Sequence, residues 1–153
     1  MNKYNLRNHR GMILLTVLTV LIIAFIWNNS CKSGEESGAQ SGAVTRFLQA
    51  ILDPSGKIPE PTFHHFVRKT AHFVEFALLG ILIGGLFRTI NVQTGRAFFS
   101  LPVLLVLLVA VLDEYIQNYT GRGSAVTDVM LDFSGGLTGL GLTWLTAFLK
   151  KKK

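Results

Sequence analysis

Apolar residues fall in long, nearly unbroken stretches separated by short polar ones. The hydrocarbon core of a bilayer is about 30 Å thick, so a spanning helix needs ~17–25 mostly apolar residues. Four stretches meet that need, at about 12–27, 63–87, 97–117 and 126–149. No alternating strand pattern and no internal repeat interrupts them. The expected fold is therefore all-α: one membrane domain over 1–153, an integral four-helix bundle with a short interfacial helix in the first outer loop. The first stretch is short and follows Lys3, Arg7 and Arg10, as in a signal peptide. The Asn28-Asn29-Ser30 run after it lacks a small-x-small cleavage pattern, so it reads as a retained span. Residues 28–42 are rich in Ser, Gly, Asn and Glu and read as an irregular segment. Val44, Phe47, Leu48, Ile51 and Leu52 recur at helical spacing. They predict an amphipathic helix over 43–52, lying at the interface or capping the bundle. Asp53-Pro54-Ser55-Gly56 reads as a turn, with Pro59 and Pro61 keeping the approach to the second span extended.

Composition supports the membrane reading. Hydrophobic residues make up 49% of the 153 positions and charged ones 16%, against about 25% in an ordinary soluble domain. A net charge of +6 invites a nucleic-acid reading, but the charges are too sparse and the apolar runs too long for one. The lone Cys31 excludes an internal disulfide. Positive-inside bias explains the cations. Lys3, Arg7, Arg10, Arg88, Arg96, Lys150, Lys151, Lys152 and Lys153 fall on one side if both termini are cytoplasmic. All nine acids then fall on the outer side, against Lys32, Arg46, Lys57, Arg68, Lys69 and Arg122. The terminal lysines read as an orientation signal and a contact for anionic lipid. Trp27 and Trp144 lie toward span ends, where aromatics anchor to headgroups, and His64 and His65 read as interfacial.

Several ionisable residues lie inside the spans. Arg68, His72 and Glu75 fall within about 60° of one another on the second, with Lys69 on the adjoining edge. The third ends with Asp113, Glu114 and Gln117, and the fourth opens with Asp128 and Asp132 one turn apart. Arg122 sits in the tight link between them. A central acid costs roughly 2.5–3.5 kcal/mol. The apolar residues of 73–87 return about 3–6 kcal/mol, so Glu75 must be interfacial, paired or facing a polar interior. All three clusters lie toward the outer ends of their helices and mark a candidate site. The Gly80/Gly84 and Gly135/Gly139 pairs are G-x-x-x-G patterns that let helices approach closely. They predict that the second and fourth spans pack together, with their polar residues meeting above the contact.

These residues also carry a family resemblance. The run from Arg68 through Lys69, His72 and Glu75 to Phe76 resembles the first signature of VanZ-like membrane proteins. Asp113-Glu114-Tyr115-Ile116-Gln117, Gly121-Arg122, Asp128 and Asp132-Phe133-Ser134-Gly135-Gly136 resemble the second. Ser37 and Ser41 match the family's Ser-containing outer segment. Phe76 stands where Tyr is common, Thr120 where Pro is common, and Asp132 where Asn is common. The resemblance implies a small multi-pass protein of the bacterial cytoplasmic membrane. Its founding member is associated with low-level resistance to teicoplanin.

Two chemical readings stay open. In the first, an outward-facing enzyme uses His72 as general acid or base, oriented by Glu75 or Asp128, with Asp113 or Glu114 sharing that role. Lys69, Gln117, Arg122 and Asp132 then bind substrate, the cations holding a phosphate or carboxylate. Membrane lipids, an anionic wall precursor, a teichoic-acid type polymer or a glycopeptide are the partners that fit. In the second, the cluster binds without turnover or is a structural ion network. A transporter is disfavoured by the lack of a broken inverted repeat. His72, Glu75, Asp128 and Asp132 offer one nitrogen and several oxygens to a metal, but His-x-x-Glu is a weak signal. No structural-zinc set occurs, so neither metal nor cofactor is assigned.

Overall fold

The computed structural model describes residues 3–151. Lys152 and Lys153, two of the orientation cations, lie outside the described residues, as do the side chains of Lys3, Arg7 and Lys151. Five helices follow one another: α1 (Lys3–Ser30), α2 (Gly34–Leu52), α3 (Glu60–Thr94), α4 (Ser100–Tyr119) and α5 (Val126–Lys151). Helices α1, α3 and α4 are long and apolar enough to cross a membrane. At 1.5 Å per residue, α5 is about 39 Å long.

Glycine sets how close α5 comes to α3. A Cβ at Gly139 would strike the Ala77 carbonyl, one at Gly80 the Gly136 carbonyl, and one at Gly135 the Phe73 carbonyl. Gly136 instead faces the Val106 side chain of α4. Backbones this close gain dispersion along the whole contact, which is how membrane helices associate without a hydrophobic driving force. The expected pairing of the second and fourth apolar stretches is the tightest seam of the bundle, α3 against α5. Phe76, Leu79 and Ile83 of α3 fill the centre with Val106 and Ala110 of α4, Leu140 of α5 and Ile26 of α1. Ile13, Leu14, Val17, Leu104, Leu108, Leu142 and Leu145 stay exposed, an apolar belt suited to lipid.

The first outer loop is more ordered than expected. The 28–42 segment is not irregular: α1 continues to Ser30, and α2 begins at Gly34 and runs 19 residues. A capping box explains the early start. The Ser33 hydroxyl accepts the Glu36 N–H, and the Ser33 N–H donates to the Glu36 carboxylate at 3.1 Å. Helix α2 packs on α3 and buries Thr45, but leaves Val44, Phe47, Ile51 and Leu52 exposed. Asp53 ends it: its carboxylate accepts the backbone N–H groups of Lys57 (3.1 Å) and Ile58 (2.7 Å). Those bonds, the Ile58 one foremost, hold the Asp53 carboxyl below its usual pKa. The approach to α3 is not extended through Pro61. That proline lies in the first helical turn, where its missing N–H costs nothing.

Alternating helix direction sorts the chain into two ends. One end gathers Ser30 of α1, α2, the first turns of α3 and α5, and the last turn of α4. The other holds the start of α1, the 95–99 link and the end of α5, with Arg10, Arg88, Arg96 and Lys150. Trp144 packs edge-on against Phe99 there, ring centroids 5.9 Å apart.

Candidate functional site

The polar residues singled out from the spans converge at the first of these ends. On α3, Lys69 forms an ion pair with Asp128 of α5. One turn on, His72 Nδ1 lies 3.9 Å from Asp113 Oδ2 of α4 and 3.7 Å from Asp132 Oδ1 of α5. Glu75, a turn deeper, lines a cavity together with Arg68, His72 and Arg122. The carboxylates beside His72 are thus Asp113 and Asp132, whereas Glu75 and Asp128 were the expected orienting groups. Asp128 is engaged by Lys69.

Asp113 is fully buried and well held. Its Oδ1 accepts the Ser30 hydroxyl at 2.6 Å and its Oδ2 the Gln117 side-chain N–H at 2.7 Å. Glu114 accepts the Ala125 N–H at 3.1 Å and so fastens the start of α5 to α4. Asp132 differs. It is 1% exposed, and its Oδ2 has no hydrogen-bond partner. Among the described residues, Lys69–Asp128 is the one lysine–carboxylate pair in the cluster.

The α4–α5 link is shaped by Gly121 and Gly123, with φ of 71° and 72°, a region most side chains avoid. Between them Arg122 folds back: its N–H donates to the Gln117 carbonyl (3.2 Å) and its Nη1 to the Asn29 carbonyl of α1 (3.1 Å). Its Nε is buried without a partner. Burial and the neighbouring Arg68 lower the Arg122 pKa, opposed by Asp113, Glu114 and Glu75. A guanidinium nonetheless stays charged.

Two cavities flank this arrangement. The smaller, about 150 Å³, is lined by Lys69, His72, Glu114, Gln117, Asp128 and Asp132 among others. The larger, about 510 Å³, lies toward α1 and α2 and includes Glu75, Ser37 and Ser41. Arg68, His72 and Arg122 line both.

A family model described as VanZ/LLP1 matches residues 15–148. The chain belongs to the VanZ/LLP1 family. No curated protein and no solved structure matches it. The match runs from within α1 to the last turn of α5, so the VanZ/LLP1 region contains every residue of the site. All nine sequence candidates gather here: Lys69, His72, Glu75, Asp113, Glu114, Gln117, Arg122, Asp128 and Asp132.

Sequence reasoning missed the contribution of α1. The Ser30 hydroxyl holds Asp113, the Ser30 carbonyl accepts the Thr120 hydroxyl (3.1 Å), and the Asn29 carbonyl holds Arg122. The available signal was the polar Asn28-Asn29-Ser30 run closing an apolar span, read as the start of a loop. Arg68 was placed on the His72 face but not in the site. Ser41 bonds His64 at 2.7 Å, tying α2 to α3.

Proposed function

We propose that this VanZ/LLP1 protein works at the outer face of the bacterial cytoplasmic membrane, both termini inside. Its polar site binds or acts on an anionic envelope lipid or wall precursor, and so contributes to tolerance of glycopeptides such as teicoplanin. The observation that carries this reading is the pair Arg68 and Arg122. Both line both cavities, neither forms an ion pair among the described residues, and the Arg122 Nε is unpartnered. Guanidinium donors at a cavity wall suit a phosphate or carboxylate. The orientation rests on the cations at the opposite end.

The Lys69–Asp128 pair favours a second reading, a cluster that only orders the helices. A mutant series at matched membrane levels separates the two. His72→Ala, Glu75→Gln, Asp128→Asn and Arg122→Lys are scored for teicoplanin tolerance, with mass spectrometry of lipids and wall precursors. Anion binding predicts a graded loss with Arg122→Lys among the worst, because Lys cannot reproduce bidentate contact. Chemistry predicts complete loss in Glu75→Gln or Asp128→Asn and an altered precursor profile. Failure of every variant to accumulate supports the structural reading.

A further inference from the structure

Two carboxylates, Asp113 and Asp132, are buried side by side with no Lys or Arg within ion-pair distance among the described residues. Ions taken out of water cost several kcal/mol each unless compensated. Among the described residues, the basic group within ion-pair distance of them is His72 Nδ1, at 3.9 and 3.7 Å. Those separations are too long for N–H···O hydrogen bonds, which run about 2.7–3.2 Å. They come close to the spacing around a shared ion. Three ligand atoms each about 2.0–2.2 Å from a metal stand about 3.3–3.8 Å apart, so a bound ion would draw His72 and Asp113 together by a few tenths of an ångström at most. Atoms of all three residues lie within 4.8 Å of one another.

Asp132 supplies an independent sign. Its side chain is almost fully buried beside His72, yet its Oδ2 has no partner. Asp113, in contrast, is aimed by Ser30 and Gln117 at 2.6 and 2.7 Å, as outer-shell donors aim a ligating carboxylate. His72 and Asp132 also line the 150 Å³ cavity, which gives an access path and leaves coordination positions open.

We propose that His72, Asp113 and Asp132 form a binding site for one divalent transition-metal ion of the Zn²⁺ or Mn²⁺ type. The imidazole nitrogen disfavours Mg²⁺ and Ca²⁺, and the two carboxylates disfavour soft ions. Three protein ligands with open positions are the pattern of exchangeable sites rather than closed structural ones. The site does not depend on what the cavities bind.

The test uses the full chain, purified in detergent, stripped with a chelator and titrated with Zn²⁺ or Mn²⁺. One equivalent should bind per chain. Asp132→Asn and His72→Ala should each weaken binding at least about 10-fold, while Glu60→Gln, at the exposed first turn of α3, should not. Pulsed electron spin resonance of the Mn²⁺ form should show coupling to one imidazole nitrogen, and the coupling should persist in the His64→Ala/His65→Ala chain. If either ligand variant fails to fold, this wild-type spectrum decides. Absence of stoichiometric binding, binding indifferent to both ligand substitutions, or a signal that vanishes with His64 and His65 would overturn the proposal. Glycopeptide tolerance does not enter the measurement, so failure of the envelope reading leaves it standing.

Discussion

Asp113 and Asp132 are the same residue type at similar burial, yet their surroundings differ. Asp113 has a donor for each oxygen, from Ser30 and Gln117. Removing one donor leaves a buried acceptor bare, which costs about 1–3 kcal/mol. Ser30→Ala should destabilise the protein by that amount in thermal unfolding in detergent. Ser41→Ala, whose bond to His64 is less deeply placed, should cost less. Equal effects would mean that the Ser30–Asp113 bond has no special weight. The acids themselves were legible in the sequence, because ionisable residues in an apolar run stand out. Which acid has donors was not, since Ser30 and Asp113 are 83 positions apart.

Elements owe their ends and contacts to single residues. The Ser33–Glu36 capping box sets the start of α2, and Asp53 closes its link to α3. The Asp53 carboxyl has a lower pKa folded than unfolded. Its stabilisation is therefore complete above the unfolded value of about 3.9 and is lost as pH falls through the folded one. Amide exchange at Lys57 and Ile58 should accelerate only below about pH 4. Asp53→Ala should exchange fast already at neutral pH. Unchanged exchange in that variant would show that the link is held by other bonds. Two glycines of α5 make a second contrast. Gly139→Ala meets the Ala77 carbonyl and should cost about 1–3 kcal/mol. Gly141→Ala meets nothing within 4 Å and should gain about 0.5–1 kcal/mol from helix propensity. Unfolding in detergent measures both, and equal shifts would deny the close α3–α5 seam. Both G-x-x-x-G patterns were visible in the sequence, but the 33–36 capping box was overlooked because composition there reads as loop.

At the scale of the whole molecule, up-and-down packing puts every site residue at one end and Arg10, Arg88, Arg96 and Lys150 at the other. Cys31, the single cysteine, is exposed beside Ser30 at the site end. If the site faces outward, a membrane-impermeant maleimide should label Cys31 in intact cells. A cysteine placed at Thr94, at the opposite end, in a Cys31→Ser chain should react only after permeabilisation. The reverse pattern would put the site on the cytoplasmic side and remove the envelope reading.

Sequence alone determined the four long helices, their alternation and the family signatures, because these depend on local patterns: apolar runs matched to bilayer thickness, cations at the links, and charges a few residues apart on one helix. Tertiary structure decided which acid pairs with Lys69, which two flank His72, and that α1 supplies Ser30 and Asn29. Those partners come from separate helices. Their distances are set by how closely glycine lets α3 and α5 approach, and no periodicity within one helix encodes that.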